Sequence, residues 1–183
     1  MEREVALELL KQNVDDDNLI RHSLAVEAIM RALAQHLNED VEKFGLAGLL
    51  HDIDYATTAD DPSRHSLVGA EILAKNNLDS EIVYAVKAHN GFHGLKRESL
   101  LDKCLYAADP VSGFITAAAL IRPDKKLENV ELKSLKKRFK EKSFARGANR
   151  EQMASCSEWG LDLDQLLSIS LKGMKEISDQ LGL

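Results

Sequence analysis

The stretch Phe44-Gly45-Leu46-Ala47-Gly48-Leu49-Leu50-His51-Asp52 is an unbroken apolar run that ends abruptly in two titratable side chains. Read as a helix beginning at Asn38, with Glu39 and Asp40 well placed in its first turn, it delivers His51 and Asp52 at its C-terminal end. A carboxylate there is awkward. The end of the helix dipole disfavours negative charge, and an ionised group beside an apolar run needs a positive partner. Asp52 is therefore either a wet residue where the helix frays or a ligand for a cation.

Working outward, the acidic Asp15-Asp16-Asp17-Asn18 run offers an N-cap for a helix from about Leu19 to Leu37. Its stripe of Leu19, His22, Val26, Ile29 and Leu33 advances in alternating steps of three and four, so all share one face. Before it, residues 3–12 suggest a first helix. Downstream, 53–62 reads as a loop. Ser63 is placed to cap a helix carrying His65, Val68 and Ile72, and residues 80–89 predict another with Ile82, Val86 and His89 on its face. Asn90 to Gly94 reads as a turn. A helix from Glu98 to Asp109 is expected to continue, kinked at Pro110, to Ile121. After Arg122-Pro123-Asp124 the pattern predicts two or three more helices, one ending near Lys142, one over 150–158 and one over 162–181. Alternation of the kind strands require is absent, so the fold class is all-α.

Four of the six histidines, His22, His51, His65 and His89, thus fall on apolar stripes of different predicted helices. One such residue is more often a core histidine satisfied by a carbonyl or carboxylate. Four together are harder to accommodate, because each neutral ring carries a donor and an acceptor, and leaving either buried and unpaired costs about 1–3 kcal/mol. A metal takes the lone pair of each ring, and the other nitrogen then donates to a neighbouring acceptor. His36, at a helix end, and His93, in a Gly-flanked turn, stand outside this set. On spacing alone Asp109 reads as an N-cap before Pro110.

The order His22, His51-Asp52, Asp109 resembles the H…HD…D signature of the HD superfamily of metal-dependent phosphohydrolases. Gly48-Leu49-Leu50-His51-Asp52-Ile53-Asp54 is similar to the HDIG-type form of the motif, with Asp54 where signalling HDIG domains carry Gly. Tyr106-Ala107-Ala108-Asp109 resembles the closing helix of that domain. The likeness covers residues 19–120, and His65 and His89 resemble the extra ligands of binuclear members. His65-Ser66-Leu67-Val68-Gly69-Ala70 is also similar to a segment of the subgroup that cleaves symmetrical dinucleoside polyphosphates. Beyond Ile121 the chain resembles the tail of a group of small bacterial HD proteins.

The resemblance implies one divalent ion held by His22, His51, Asp52 and Asp109, with Asp52 and Asp109 bridging to a second held by His65 and His89. A ligand set of nitrogen and oxygen without thiolate favours Mn, Fe, Co, Ni or Zn over Mg. The expected activity is hydrolysis of a phosphate ester or anhydride of a nucleotide or similar small molecule by metal-activated water. Asp52 and Asp54 are the catalytic candidates. Asp54 would be a proton shuttle or an ordinary loop carboxylate. Lys125, Arg146 and Arg150 are candidates to hold remaining phosphate charge. The competing readings are a metal-retaining HD module that senses a ligand without turnover and a helical protein with core histidines.

Composition bounds the rest. A chain of 183 residues with 44% hydrophobic and 30% charged residues fits a soluble globular domain, read as a single unit over 1–183 with the metal-binding core at 19–120 and accessory helices at 121–183. Aromatics are only 5%, so the core must be aliphatic. No apolar run approaches bilayer length and the first residues lack a signal pattern, so a cytoplasmic protein without membrane contact is expected. Cys104 and Cys156 form no metal or disulfide pattern. The net charge is −6, yet residues 131–150 hold eight Lys or Arg against Glu131 and Glu141. Taken alone the basic stretch reads best as the solvated face of an amphipathic helix; it can also attract a small phosphorylated ligand, and overall acidity argues against nucleic acid.

Overall fold

The computed structural model describes residues 1–183, and every regular element in it is helical, as the periodicity predicts. Helix α1 (Arg3–Asn13) leads into α2 (Asp17–Leu37), whose N-terminus is capped by Asp16 accepting from the Asn18 N–H at 2.7 Å. Then come α3 (Val41–Leu50), the single turn α4 (Tyr55–Thr58), α5 (Leu67–Lys75), α6 (Ser80–His89) and α7 (Leu100–Leu120). The chain closes with α8 (Leu132–Phe139), α9 (Arg150–Ala154), α10 (Leu163–Glu176) and the short α11 (Ser178–Leu181). No helix is long and apolar enough to cross a membrane.

Helix α2 is the axis of the fold. It packs against α3, α7, α10 and α11, and its residues from Ser23 to Met30 are all buried. Two glycines bring neighbours unusually close to it. A Cβ on Gly48 would lie 2.9 Å from the Val26 carbonyl oxygen and from Glu27 Cα, so α3 crosses α2 nearly backbone to backbone. From α10, a Cβ on Gly173 would lie 2.7 Å from the Ala28 carbonyl oxygen. Buried Glu27 is held by Arg3 through contacts of 2.6 and 2.9 Å and by Arg31 Nε at 2.9 Å. Arg31 in turn makes a two-pronged pair with Glu42, so α1, α2 and α3 share one ionic network.

Several element boundaries differ from the sequence expectation, each for an identifiable reason. Helix α3 begins at Val41, not Asn38, because Asn38 takes the left-handed conformation (φ 58°) that ends α2 and Asp40 then caps α3 by accepting from the Lys43 N–H. The segment 53–62 contains α4 rather than only loop. Helix α5 begins at Leu67, so His65 lies ahead of it and not on it. Ser66 is left-handed (φ 69°) and its N–H donates to the Asp54 carboxylate at 2.8 Å, which breaks the helical stripe. Helix α7 is one element through Pro110, and its packing against α2, α3 and α6 outweighs the local cost of about 3 kcal/mol for an interior proline.

Replacing Gly48 by Ala should therefore strain backbone that cannot move aside. The expected loss is about 1–3 kcal/mol, or roughly 2–12 °C in Tm. A thermal melt with unchanged midpoint would show that the helix crossing yields.

Candidate metal centre

The four histidines arrive by different routes but present the same atom. His51 follows the last residue of α3, is fully buried, and has Nδ1 2.8 Å from the Gly48 carbonyl. His89 ends α6 with the same arrangement, its Nδ1 2.6 Å from the Val86 carbonyl. Both rings thus donate to carbonyls that a helix end leaves without partners. His22 projects from α2, and its Nδ1–H donates to Ser112 Oγ at 3.0 Å, whose hydroxyl donates onward to the Asp109 carbonyl at 2.8 Å. His65 donates from Nδ1 to Asp54 Oδ1 at 3.0 Å. With every Nδ1 carrying the proton, every Nε2 is left as a lone pair.

Those Nε2 atoms converge on Asp52. Its Oδ2 lies 3.4 Å from Nε2 of both His22 and His51, and its Oδ1 lies 3.4 Å from His89 Nε2 and 3.5 Å from His65 Nε2. Asp109 Oδ1 closes the first half, 3.3 Å from His22 Nε2 and 3.8 Å from His51 Nε2. The two imidazole nitrogens of His22 and His51 are only 3.1 Å apart. Two lone pairs at that distance repel unless a cation or proton lies between them.

The spacings fit a metal: ligands bound at about 2.0–2.2 Å to one ion must sit about 3.0–3.5 Å from each other. The His22, His51 and Asp109 ligand atoms, and those of His51, Asp52 and His89, each fall within 4.8 Å of one another. Asp52 spans both halves, whereas Asp109 faces only His22 and His51. Of the two carboxylates expected to bridge, Asp52 alone has an oxygen facing each pair of histidines.

Charge in the metal-free cluster is pulled in opposite directions. Burial would raise the Asp52 carboxyl, but the charge of His51 and contacts with His22, His51 and His89 hold it well below the usual range. Asp109 is likewise lowered, burial being overcome by His22 and His51. Burial would depress His22, yet Asp109 and Asp52 raise it to about 9, and His51 is raised well above its ordinary value against the same burial. Without metal, protons on these rings serve as the cations.

The remaining sequence candidates separate. Asp54 is close by, but it is buried and both its oxygens are taken. Oδ1 holds His65, and Oδ2 accepts from the Ser66 and Gly69 N–H groups at 2.8 Å each. These contacts let Asp54 orient the His65 ring. Arg146 is exposed in a loop whose neighbours Ala145, Gly147 and Ala148 wall a cavity reaching His22 and Asp109. Arg150 faces inward. Its guanidinium donates to the carbonyls of Phe139, Phe144, Ala145 and Ala148 at 2.6–3.4 Å and lies over the Phe114 ring, so it fastens that loop instead of binding phosphate. Lys125 lies beyond the far end of α7, whose rise of about 1.5 Å per residue puts Ile121 roughly 18 Å past Asp109. It is exposed there, away from the cluster.

Sequence reading missed two supports. Ser112 lies one helical turn from Asp109, a spacing that was visible but had no polar partner until α2 packed against α7. His93 Nε2 lies 2.8 Å from the His65 carbonyl, and the Asn90 amide donates to the same oxygen at 3.2 Å, so the turn braces the His65 backbone.

Residues 19–113 match a family described as the HD domain. The chain is 33% identical over 166 residues to Ribonuclease Y of Lawsonia intracellularis, covering 88% of this chain and 32% of that protein. It is 35% identical over 137 residues to Ribonuclease Y of Desulfotalea psychrophila, covering 73% and 26%. To Ribonuclease Y of Enterococcus faecalis it is 34% identical over 137 residues, with the same coverage. The chain spans about a third or less of the length of these relatives. No solved structure matches it. Relatives named as ribonucleases overturn the expectation that acidity argues against nucleic acid: net charge describes the whole surface, whereas phosphate is met locally.

Metal loading must displace the protons on His22 and His51 and should release them. Calorimetric titration of manganese at pH 7.5 in two buffers of different ionisation enthalpy should give different heats, and identical heats would contradict the protonated cluster. The sign for stability follows from His22, raised from 6.5 to about 9 in the folded metal-free chain. Its contribution is complete below pH 6.5 and fades as pH rises through about 9. Tm of the metal-free protein should fall over that window, while that of the loaded protein should not.

Proposed function

The chain belongs to the HD domain family, and from that premise we propose that it is a metal-dependent phosphohydrolase whose substrate is a phosphodiester of RNA. The observation that carries the reading is the shared carboxylate: Asp52 turns one oxygen to His22 and His51 and the other to His65 and His89. This supports two ions side by side, the arrangement suited to clamping both oxygens of an in-line displacement at phosphorus. The RNA assignment rests on the ribonuclease relatives.

His22, His51, Asp52 and Asp109 would hold one ion and His65, His89 and Asp52 the other. Divalent ions there supply Lewis-acid charge and make hydroxide available near neutral pH. The protein's own part is positional. The Gly48 and Val86 carbonyls, Ser112 and Asp54 hold the four rings by Nδ1 and turn each Nε2 inward. Partly exposed His22 and Asp109 form the side open to substrate, while fully buried His51 and nearly buried His89 close the back against water. Asp109, with Oδ1 3.3 Å from His22 Nε2, places a carboxylate at that mouth.

Elemental analysis of chelator-free protein should find close to two transition-metal ions per chain, and the loaded protein should cleave a labelled oligoribonucleotide faster than small phosphate monoesters. Asp52→Asn should abolish metal content while leaving the helical circular dichroism spectrum intact. Its activity loss should exceed the about 10–100-fold typical of removing a partner that only orients a ligand. Full metal content in that variant would sink the ligand assignment. Turnover of monoesters with no RNA cleavage would sink the substrate assignment.

A further inference from the structure

Gly113 has no structural reason to be glycine. It sits inside α7, one turn past Asp109, and its backbone is ordinary helix. A Cβ there would meet nothing within 4 Å. Contrast Gly48 and Gly173, where a Cβ would collide with backbone. An exposed glycine in a helix interior is disfavoured relative to alanine, so a bare position with free space above it is a cost without a packing return.

The space above it is shaped. Two cavities meet at His22 and Gly113. One, of about 380 Å³, extends past Asn18, Arg21 and Thr116 to Leu181. The other, of about 320 Å³, is bounded by Asp109, Ala117 and the loop residues Ala145, Gly147 and Ala148. Both volumes fall in the range of small-molecule sites, about 300–1,000 Å³. Arginine accompanies each: Arg21 lines the first, and exposed Arg146 lies within the loop that walls the second. That loop is held in place from within by Arg150, and Ala145 adopts a left-handed conformation (φ 44°) under that restraint.

We propose that Gly113 is a specificity-determining residue, the bare saddle over which a substrate strand crosses the metal centre, with the two cavities taking the nucleosides on either side of the scissile phosphate. The inference builds on the RNA reading above. A phosphate needs only the metal cluster and Asp109's side of the mouth. The groups attached to it need room, and the two cavities on opposite sides of one unobstructed helix surface provide it. The two arginines match the flanking negative charges of a polyanionic strand. A side chain at position 113 would stand between the cavities and separate them.

The test uses manganese-loaded protein and two probes, a labelled single-stranded 2′-O-methyl phosphorothioate oligonucleotide that resists hydrolysis, and inorganic phosphate. Gly113→Leu should weaken oligonucleotide binding by at least about tenfold more than it weakens phosphate binding, a difference of about 1.4 kcal/mol. Gly113→Ala should give a smaller shift in the same direction, with Tm at or above that of the unsubstituted chain. Unchanged oligonucleotide affinity in both variants would overturn the proposal. So would parallel loss of both probes, which would place the damage in the metal cluster, or failure of the unsubstituted protein to bind the oligonucleotide. Selective loss of oligonucleotide binding in a protein that never cleaves RNA would uphold the saddle and instead reject the hydrolase reading.

Discussion

A carboxylate that is nearly buried and flanked by four imidazole nitrogens organises this protein. Asp52 cannot remain ionised among Leu49, Leu50 and Ile53 without positive charge beside it, and water reaches too little of it to supply that stabilisation. Nearby His22 and His51, both raised above their ordinary values, can supply that charge as protons, and divalent ions would supply it in the function proposed above. Every other feature of the centre follows from placing four rings around one side chain, because each ring must turn the same nitrogen inward.

The chain solves that orientation problem with local devices. Two of the rings use the unpaired carbonyls at the ends of α3 and α6, a solution that costs no additional side chain. His22, inside α2, has no such carbonyl to use, since its neighbours are spent on the helix; it takes a hydroxyl from α7. His65 precedes its helix and takes a carboxylate. Asp54 then serves twice, fixing the ring with one oxygen and the left-handed turn at Ser66 with the other. The scaffold brings these parts together by tight crossings on α2, where Gly48 and Gly173 remove the side chains that would hold α3 and α10 away.

The positive charges after Ile121 show why composition is a poor guide to partners. Lys136 is paired with Asp164 and Arg138 with Glu141, while Arg150 is turned inward onto carbonyls and aromatic rings. What reads as one basic stretch is thus divided: Lys133, Lys137, Lys140, Lys142 and Arg146 face solvent, while Arg150 is spent on the loop. Net charge of the whole chain says equally little about the mouth of the centre, where Arg21 lines one cavity beside His22 and Arg146 lies in the loop that walls the other.

The sequence by itself determined the all-helical class and the stripes of α2 and α6, because helical period is a local property written at fixed spacings; the set of histidines and aspartates came from the family resemblance, since spacing alone made Asp109 an N-cap. It also carried His51 and Asp52 to the end of α3, since an apolar run must finish where a charged pair begins. What it left open were relations between elements. Only the tertiary structure decided that Asp52 faces all four histidines while Asp109 faces two, that Asp54 holds His65, and that Arg150 is a loop clamp. The same holds for the break at Ser66, where a long-range hydrogen bond to Asp54 overrides a helical pattern that looked continuous. Each of these depends on which side chains lie within about 3 Å after the helices pack, the distance at which hydrogen bonds and metal ligands act, and separation along the chain does not encode that distance.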